Sequence, residues 1–487
     1  MKQILIIAAL LISGSVFSKL TPVTPELGIE SQEKGYVVSD RPGSNFTLDI
    51  IQDGREESTH VFAATSAGMT VIKNSLSTVE DLEWHNSTVG YGGSSGIALD
   101  KDNNIWMTTA TDTFLVDENV FLAMGTGVHF SPDSGRTWTS FPQPGITPIQ
   151  GLAYDIACDT LGGVWMACWG QSLQASSDGG ETWRTLTCDD REWDPAKIDN
   201  HKMFAVHFTG SDNLWVGTAE GINLCTDYNV PDEEREWEQF KMENGLTGHF
   251  TTAIGSYTDP TDSLEYVFAA TWTTEKPAGQ VQGVSYTFNN GLTWHQALAG
   301  EKVFSFGFSN GDVYACAESG LWKSSDNGNY WEKYIIRAWS ELKGGYVDAN
   351  EIYSFEYHNG VMFAGTGSGL AVSDDNGLTW TLVEAYKPSS DSKNETYAYP
   401  NPFSPMKFGD TKLQFKLDGS SGVSCKIYNF AMEKVRTVTE GSAFGAGERY
   451  ILWDGKDDYG KSVANGVYYY IISTDQGEFW NKIIIFE

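Results

Sequence analysis

Basic residues are scarce in this chain: 32 Lys and Arg stand against 64 Asp and Glu, a formal net charge of −32 over 487 residues. A surface this acidic repels phosphate backbones and anionic bilayers, which argues against nucleic acid as a partner. It favours solubility and, more sharply, attraction of cationic ligands. Residues 397–487 hold ten basic and eleven acidic side chains, so nearly all the excess lies before them. Cysteine is sparse too. Cys158, Cys168, Cys188, Cys225, Cys316 and Cys425 include no Cys-x-x-Cys, and Cys and His together show no metal-ligand spacing. No metal and no cofactor is therefore expected. Cys168 and Cys316 fall in runs of small residues, where burial as small hydrophobes is expected. Cys158, Cys168 and Cys188 are close enough in sequence for one local disulfide in an oxidising compartment. Long apolar runs are missing after the N-terminus. The run from Ile4 to Ile12 is too short to span a bilayer. It follows Met1-Lys2, and Val16 and Ser18 stand at −3 and −1 of a cut before Lys19. That is the pattern of a secretory signal peptide over residues 1–18.

What the chain does have is repetition. An eight-residue turn runs from Ser131 through Asp133 and Gly135 to Trp138, and again from Ser176 through Asp178 and Gly180 to Trp183. It returns with Asp326, Gly328 and Trp331, and with Asp375, Gly377 and Trp380; a looser copy has Asn289, Gly291 and Trp294. Asp or Asn bonds its own backbone and starts the turn. Gly takes a positive φ, and Trp packs into the core as the chain returns. Upstream of each turn runs a second pattern, an apolar residue, an aromatic, then small residues. Val61-Phe62-Ala63-Ala64-Thr65 and Leu214-Trp215-Val216-Gly217-Thr218 are two of seven copies. Two copies lack a clean turn motif yet reach a Trp at the right place, Trp84 and Trp237. From Trp84 to Trp380 the closing tryptophans lie on average about 49 residues apart, which suits a four-stranded blade. The fold expected is all-β: a seven-bladed β-propeller within residues 19–386.

The turn resembles the Asp-box, or BNR, repeat of sialidases, sortilin-type receptors, xyloglucanases and photosystem-assembly-factor-like proteins. The resemblance implies that the motif lies between the two outer strands of each blade, away from any active site. It therefore speaks to architecture and hardly to chemistry.

Residues 387–396 are polar and read as a linker. A second domain then opens at Tyr397-Ala-Tyr-Pro-Asn401-Pro-Phe403, and its alternating strands predict a small Ig-like sandwich over 397–487. The opening, the turn at Trp453-Asp454-Gly455 and the strand at Gly466-Val467-Tyr468 resemble the Ig-like domain of flagellar hook-capping proteins (FlgD-like). They also resemble the type A sorting domain of type IX secretion cargo. The resemblance implies a Gram-negative source, export to the outer cell surface, and secretion machinery as a partner of residues 397–487.

Ligands of propellers bind on the face carrying the inter-blade loops. The long loops expected there are 110–125, 184–201, 238–249, 272–283 and 332–350. Trp169, which directly follows a small-residue run, is a candidate for stacking on sugar or peptide, and these loops carry three more, Trp193, Trp272 and Trp339. They also carry His201 and His249, which read as hydrogen-bonded loop residues. A glycosidase needs two carboxyl groups about 5–10 Å apart. Asp155, Asp189, Asp190, Asp348 and Glu351 are the carboxylates at hand, with Asp348 and Glu351 the candidates for acid–base roles. The sialidase pattern needs an arginine triad and Arg-Ile-Pro; only Arg41-Pro42 is present. Asp100 to Asn104 reads as a strand–strand turn, not a calcium loop, for it lacks the Gly and the distant Glu. The function expected is a secreted or surface binding propeller for a glycan or protein partner, centred on Trp169 and Trp272. An Asp-box glycoside hydrolase and an assembly-factor-like structural propeller are the alternatives.

Overall fold

The computed structural model describes residues 36–486, apart from short internal stretches of which 116–119, 146–150 and 386–395 are the longest. The residues expected to form a signal peptide and most of those expected to form the linker lie outside the described residues. Cα packing divides the chain into one unit of residues 1–338 and 347–385 and another of 386–487 with 339–346.

The first unit holds seven sheets, each built on a four-stranded antiparallel meander. Blade 1 comprises Thr47–Gln52, His60–Thr65, Gly68–Lys73 and Glu83–Ser87; blade 3 comprises Ala153–Cys158, Val164–Cys168, Ser172–Ser176 and Arg184–Leu186. The first strands of consecutive blades pack side by side, and that of blade 1 packs on that of blade 7, closing a ring. The second strands are the apolar–aromatic–small repeats. They are buried on both faces because each is sandwiched between neighbouring blades. Trp84 and Trp237 belong to blades 1 and 4, where short 3₁₀ turns replace the Asp-box.

The Asp-box turns join third and fourth strands. In blade 3, Thr182 donates its backbone N–H (2.9 Å) and its hydroxyl (2.5 Å) to the Asp178 carboxylate. Gly180 N–H donates to Ser176 Oγ at 2.9 Å, and Trp183 Nε1 donates to the Gly180 carbonyl at 3.1 Å. The glycine has a second reason beyond its φ. At Gly377 (φ +81°) a Cβ would stand 2.2 Å from the Tyr334 hydroxyl of the preceding blade. Each turn thus docks on its neighbour. Burial of the closing Trp is uneven: Trp294 and Trp380 are buried, whereas Trp138, Trp183 and Trp331 are half-buried.

Three expectations are corrected. Residues 110–125 are not a loop: Ile105–Leu115 and Val120–Ser131 extend blade 2 as a long hairpin. Residues 336–349 form a second hairpin, Ile336–Ser340 and Gly345–Ala349, added outside the fourth strand of blade 7. Alternate residues Ile336 and Ala338 are buried, the period-2 pattern of a strand with one face covered. No disulfide forms; all six cysteines are free. The antiparallel register pairs Cys168 with Ala153 and Cys158 with Val164, which puts these two thiols at opposite ends of one strand pair.

The second unit is a sandwich. Thr396–Tyr399, Thr411–Leu417 and Gly447–Trp453 form one sheet; Lys434–Phe444, Ser421–Tyr428, Gly466–Thr474 and Gly477–Ile485 form the other. Phe403, Phe415, Ile427, Trp453, Tyr470 and Ile483 fill the space between them. Thr396, placed at the end of the linker by sequence, already opens the first strand.

Candidate functional site

Each blade carries one β-bulge at the same place, near the start of its first strand. In blade 1 Thr47 and Asp49 oppose Thr65 and Ala64, leaving Leu48 as the extra residue; in blade 3 Tyr154 is the extra residue. Its counterparts are Ser95, Phe204, Thr252, Phe304 and Tyr353. A bulge re-aims its side chain. Here all seven re-aimed residues line a single cavity of about 230 Å³ on the axis. First strands run toward the end that bears their turns to the second strands, as third strands run toward the Asp-boxes. The bulges, at the start of the first strands, therefore lie at the end opposite the Asp-boxes.

Aromatic rings dominate that cavity. Phe204 meets Phe250 edge-on at 4.6 Å and Tyr154 at 4.9 Å, and Phe304 lies 5.0 Å from Tyr353. Trp272, which ends the second strand of blade 5, completes the wall. It is 9% exposed, set edge-on between Phe250 and Phe304, and donates Nε1–H to the Val303 carbonyl at 2.7 Å. Trp169 is half-buried against the same cluster.

Two carboxyl groups face the same cavity, Asp49 and Asp155. They occupy the position after the bulge in blades 1 and 3, where other blades have Gly96, Ala205, Ala253, Ser305 and Ser354. Asp155 accepts from the backbone N–H of Ile156 at 2.8 Å and of Val206, in blade 4, at 2.9 Å. Asp49 accepts from Ile50 N–H at 2.8 Å. Burial pushes Asp49 up to about 6. It pushes Asp155 up to about 7 against the pull of the Val206 N–H, with the Asp49 charge adding to the rise. Glu356, on the first strand of blade 7, is pushed up to about 8 by burial and by Asp49.

The other candidates lie elsewhere. Trp193 borders a separate surface cavity of about 280 Å³ with Gln171, Thr185 and Thr187. Asp189, nearby in sequence, is enclosed by its own loop. Burial opposes its ionisation, but hydrogen bonds from Arg191, Asn200 and His201 overcome this and hold it well below the usual carboxylate range. Asp194 N–H donates to His201 Nδ1, so the ring proton sits on Nε2, 3.0 Å from Asp189. His201 is thus a buried, hydrogen-bonded loop residue. His249 pairs with Glu243 at 3.6 Å. Trp339 packs edge-on against Tyr346 at 5.3 Å at the tip of the 336–349 hairpin. Asp348, on that hairpin, faces Arg337 at 3.8 Å. Glu351 instead accepts from the Tyr353 hydroxyl at 2.7 Å. These two carboxylates answer to different partners, whereas Asp49 and Asp155 share a cavity. Asp100 takes the N–H groups of Asp102 and Asn104, as a turn does. Asp190 belongs to none of these arrangements.

Asp49 and the bulge residues were missed by sequence reasoning. A bulky residue followed by Asp in both Leu48-Asp49 and Tyr154-Asp155 was the one available signal. Unequal loops, from Gln52 to His60 and from Cys158 to Val164, hid their equivalence.

Among the described residues no His, Cys, Asp and Glu are grouped to hold a metal ion, and no helix is long and apolar enough to cross a membrane. Residues 402–478 match the family model of the FlgD Ig-like domain. No curated protein is significantly similar to the chain in sequence. Among solved structures, the chain is similar to PorZ, a surface component of the type IX secretion system of Porphyromonas gingivalis. Identity is 14% and the TM-score 0.31, over 90% of this chain and 66% of that one, so the chain spans about two thirds of PorZ. YCF48 bound to D1 peptide is 13% identical with a TM-score of 0.42, covering 70% and 97% of the two chains. The GH74 xyloglucanase of Xanthomonas campestris is 15% identical with a TM-score of 0.30, covering 90% and 69%.

Proposed function

We propose that this protein is a non-catalytic binding propeller. It is exported to the outer surface of a Gram-negative cell by its C-terminal Ig-like module and takes a glycan or protein partner on the face opposite the Asp-boxes. The observation that supports the reading is the axial cavity at that end of the ring. It is concave, walled by aromatic rings and edged by few polar groups, as binding sites are. Trp272 forms part of its wall, and Trp169 packs on the same cluster. Trp193 offers a second contact on the loop 184–201, and Trp339 is a further stacking candidate.

Glycan and peptide arrays probed with the mature full chain test the proposal. Capture of a defined ligand, weakened severalfold or more by Trp169→Ala, is expected; Trp272→Phe serves as the milder companion because Trp272 also packs the core. Ligand capture unaffected by both variants would move the site, with the loop 184–201 next in line. A hydrolase reading would have to act through Asp49 and Asp155, which share the cavity. Turnover of sialosides or β-glucans that disappears in Asp155→Asn would replace binding by catalysis.

A further inference from the structure

The axial cavity has a chemistry more specific than an apolar pocket. Its wall includes seven rings, Tyr154, Phe204, Phe250, Trp272, Phe304, Phe306 and Tyr353, and the carboxyl groups of Asp49 and Asp155 face the same space. Among the described residues neither carboxyl group has an ion-pair partner; backbone N–H groups are their hydrogen-bond donors. Aromatic faces attract cations through the ring quadrupole, and the attraction strengthens when water is excluded. The wall already shows this preference: Lys302 Nζ stands 4.3 Å from the Trp272 ring centroid, although Lys302 does not line the cavity. A volume of about 230 Å³ is enough for a short alkyl chain ending in a charged nitrogen.

We propose that this cavity receives an alkylammonium group, with the aromatic rings enclosing the alkyl stem and Asp49 and Asp155 neutralising the charge. The inference rests on the binding reading above and names its ligand class. It also gives the acidic charge of the propeller a local use, since a negative potential raises the encounter rate of cations. The groups around the two carboxyls set its pH dependence. Asp49 and Asp155 ionise near 6 and 7. Glu356 adds a third charge above about 8. His207 on blade 4, pushed down to about 4 by burial, and the Cys316 thiol, pushed up to about 12, stay neutral through that range.

Calorimetric titration of the mature full chain with n-butylammonium, Nα-acetyl-lysine methylamide and the neutral 1-pentanol tests it. Saturable binding of butylammonium at pH 8.5 is expected, about tenfold or more tighter than pentanol, the scale of one desolvated cation contact. Asp49→Asn and Asp155→Asn should each weaken it by about tenfold without lowering Tm at that pH, and lowering the pH to 5 should weaken it in the wild type. Tighter binding of the lysine derivative than of butylammonium would identify a lysine side chain as the source; the reverse would identify a small free amine. Pentanol binding as tightly as butylammonium, unchanged affinity in the Asp49→Asn, Asp155→Asn double variant, or no binding of any probe would overturn the proposal. If array ligands are lost in Trp169→Ala but retained in the double variant, the binding face stands and the ammonium site falls.

Discussion

At the scale of single residues, the same motif letter does different work in different blades. Trp380 is buried, so Trp380→Ala should cost about 3–5 kcal/mol. Trp183 is half-buried, and Trp183→Ala should cost clearly less in the same denaturant titration. Equal losses would mean that the turn bond from Nε1, and not burial, carries the contribution. Gly377→Ala meets both a positive φ and the Tyr334 hydroxyl, and should destabilise by more than about 1 kcal/mol. The channel carboxyls carry a pH signature. Asp155 titrates near 4 in the unfolded chain and near 7 in the folded one. Its neutral form suits the fold, so its contribution is complete below about pH 4 and is lost as the pH rises through about 7. Asp155→Asn should therefore raise Tm at pH 8 by a few degrees and leave it nearly unchanged at pH 4. A stabilisation larger at pH 4 than at pH 8 would refute the burial argument.

At the scale of elements, the ring closes without a strand shared between its ends. Blade 1 and blade 7 each consist of a complete meander, so the seam depends on side chains. Ile50, Val61 and Trp84 pack on Val361, Phe363 and Val372. Asn74 Nδ2 donates to the His358 carbonyl at 2.9 Å, and Asn359 Nδ2 returns a bond to the Asn74 carbonyl at 2.6 Å. His358 bridges Gln52 and the Ser58 carbonyl. Removing both amides, as in Asn74→Ala with Asn359→Ala, should cost roughly 1 kcal/mol per bond lost. Limited proteolysis should then accelerate first within blades 1 and 7. Cleavage that accelerates evenly over all blades would show that the seam is no weaker than any other interface. The bulges are the second element-scale device. One extra residue per first strand turns seven ordinary inner strands into seven inward-pointing side chains, and those side chains make the cavity.

At the scale of the whole molecule, each unit has its own core: Phe415, Trp453 and Tyr470 belong to one, the inter-blade clusters to the other. Ending the chain before residue 397 should leave a propeller with near-unchanged cooperative unfolding by circular dichroism. In a host with the cognate export route, the truncated chain should accumulate in the periplasm. Surface delivery equal to that of the full chain would reduce the Ig-like module to a spacer.

The two repeats together determined the blade count: Gly and Trp are demanded locally in five turns, because a left-handed backbone position and a large apolar ring admit few substitutes, and the apolar–aromatic–small strand supplied the two blades that lack the turn. The strands of the Ig-like unit were legible from their alternation, except Thr396–Tyr399, too short to show one, and Lys434–Phe444, whose residues are mostly half-buried or exposed and carry little apolar alternation. What only the tertiary structure decided is the site. Leu48 and Asp49 are remote from Tyr154 and Asp155 in sequence, and still more so from Phe304 and Tyr353. They converge because seven bulges, hidden behind loops of unequal length, point at one axis. A bulge is a relation between two strands, and a cavity is a relation among seven blades; beyond the bulky-residue–Asp steps at Leu48-Asp49 and Tyr154-Asp155, neither leaves a mark in a local stretch of sequence.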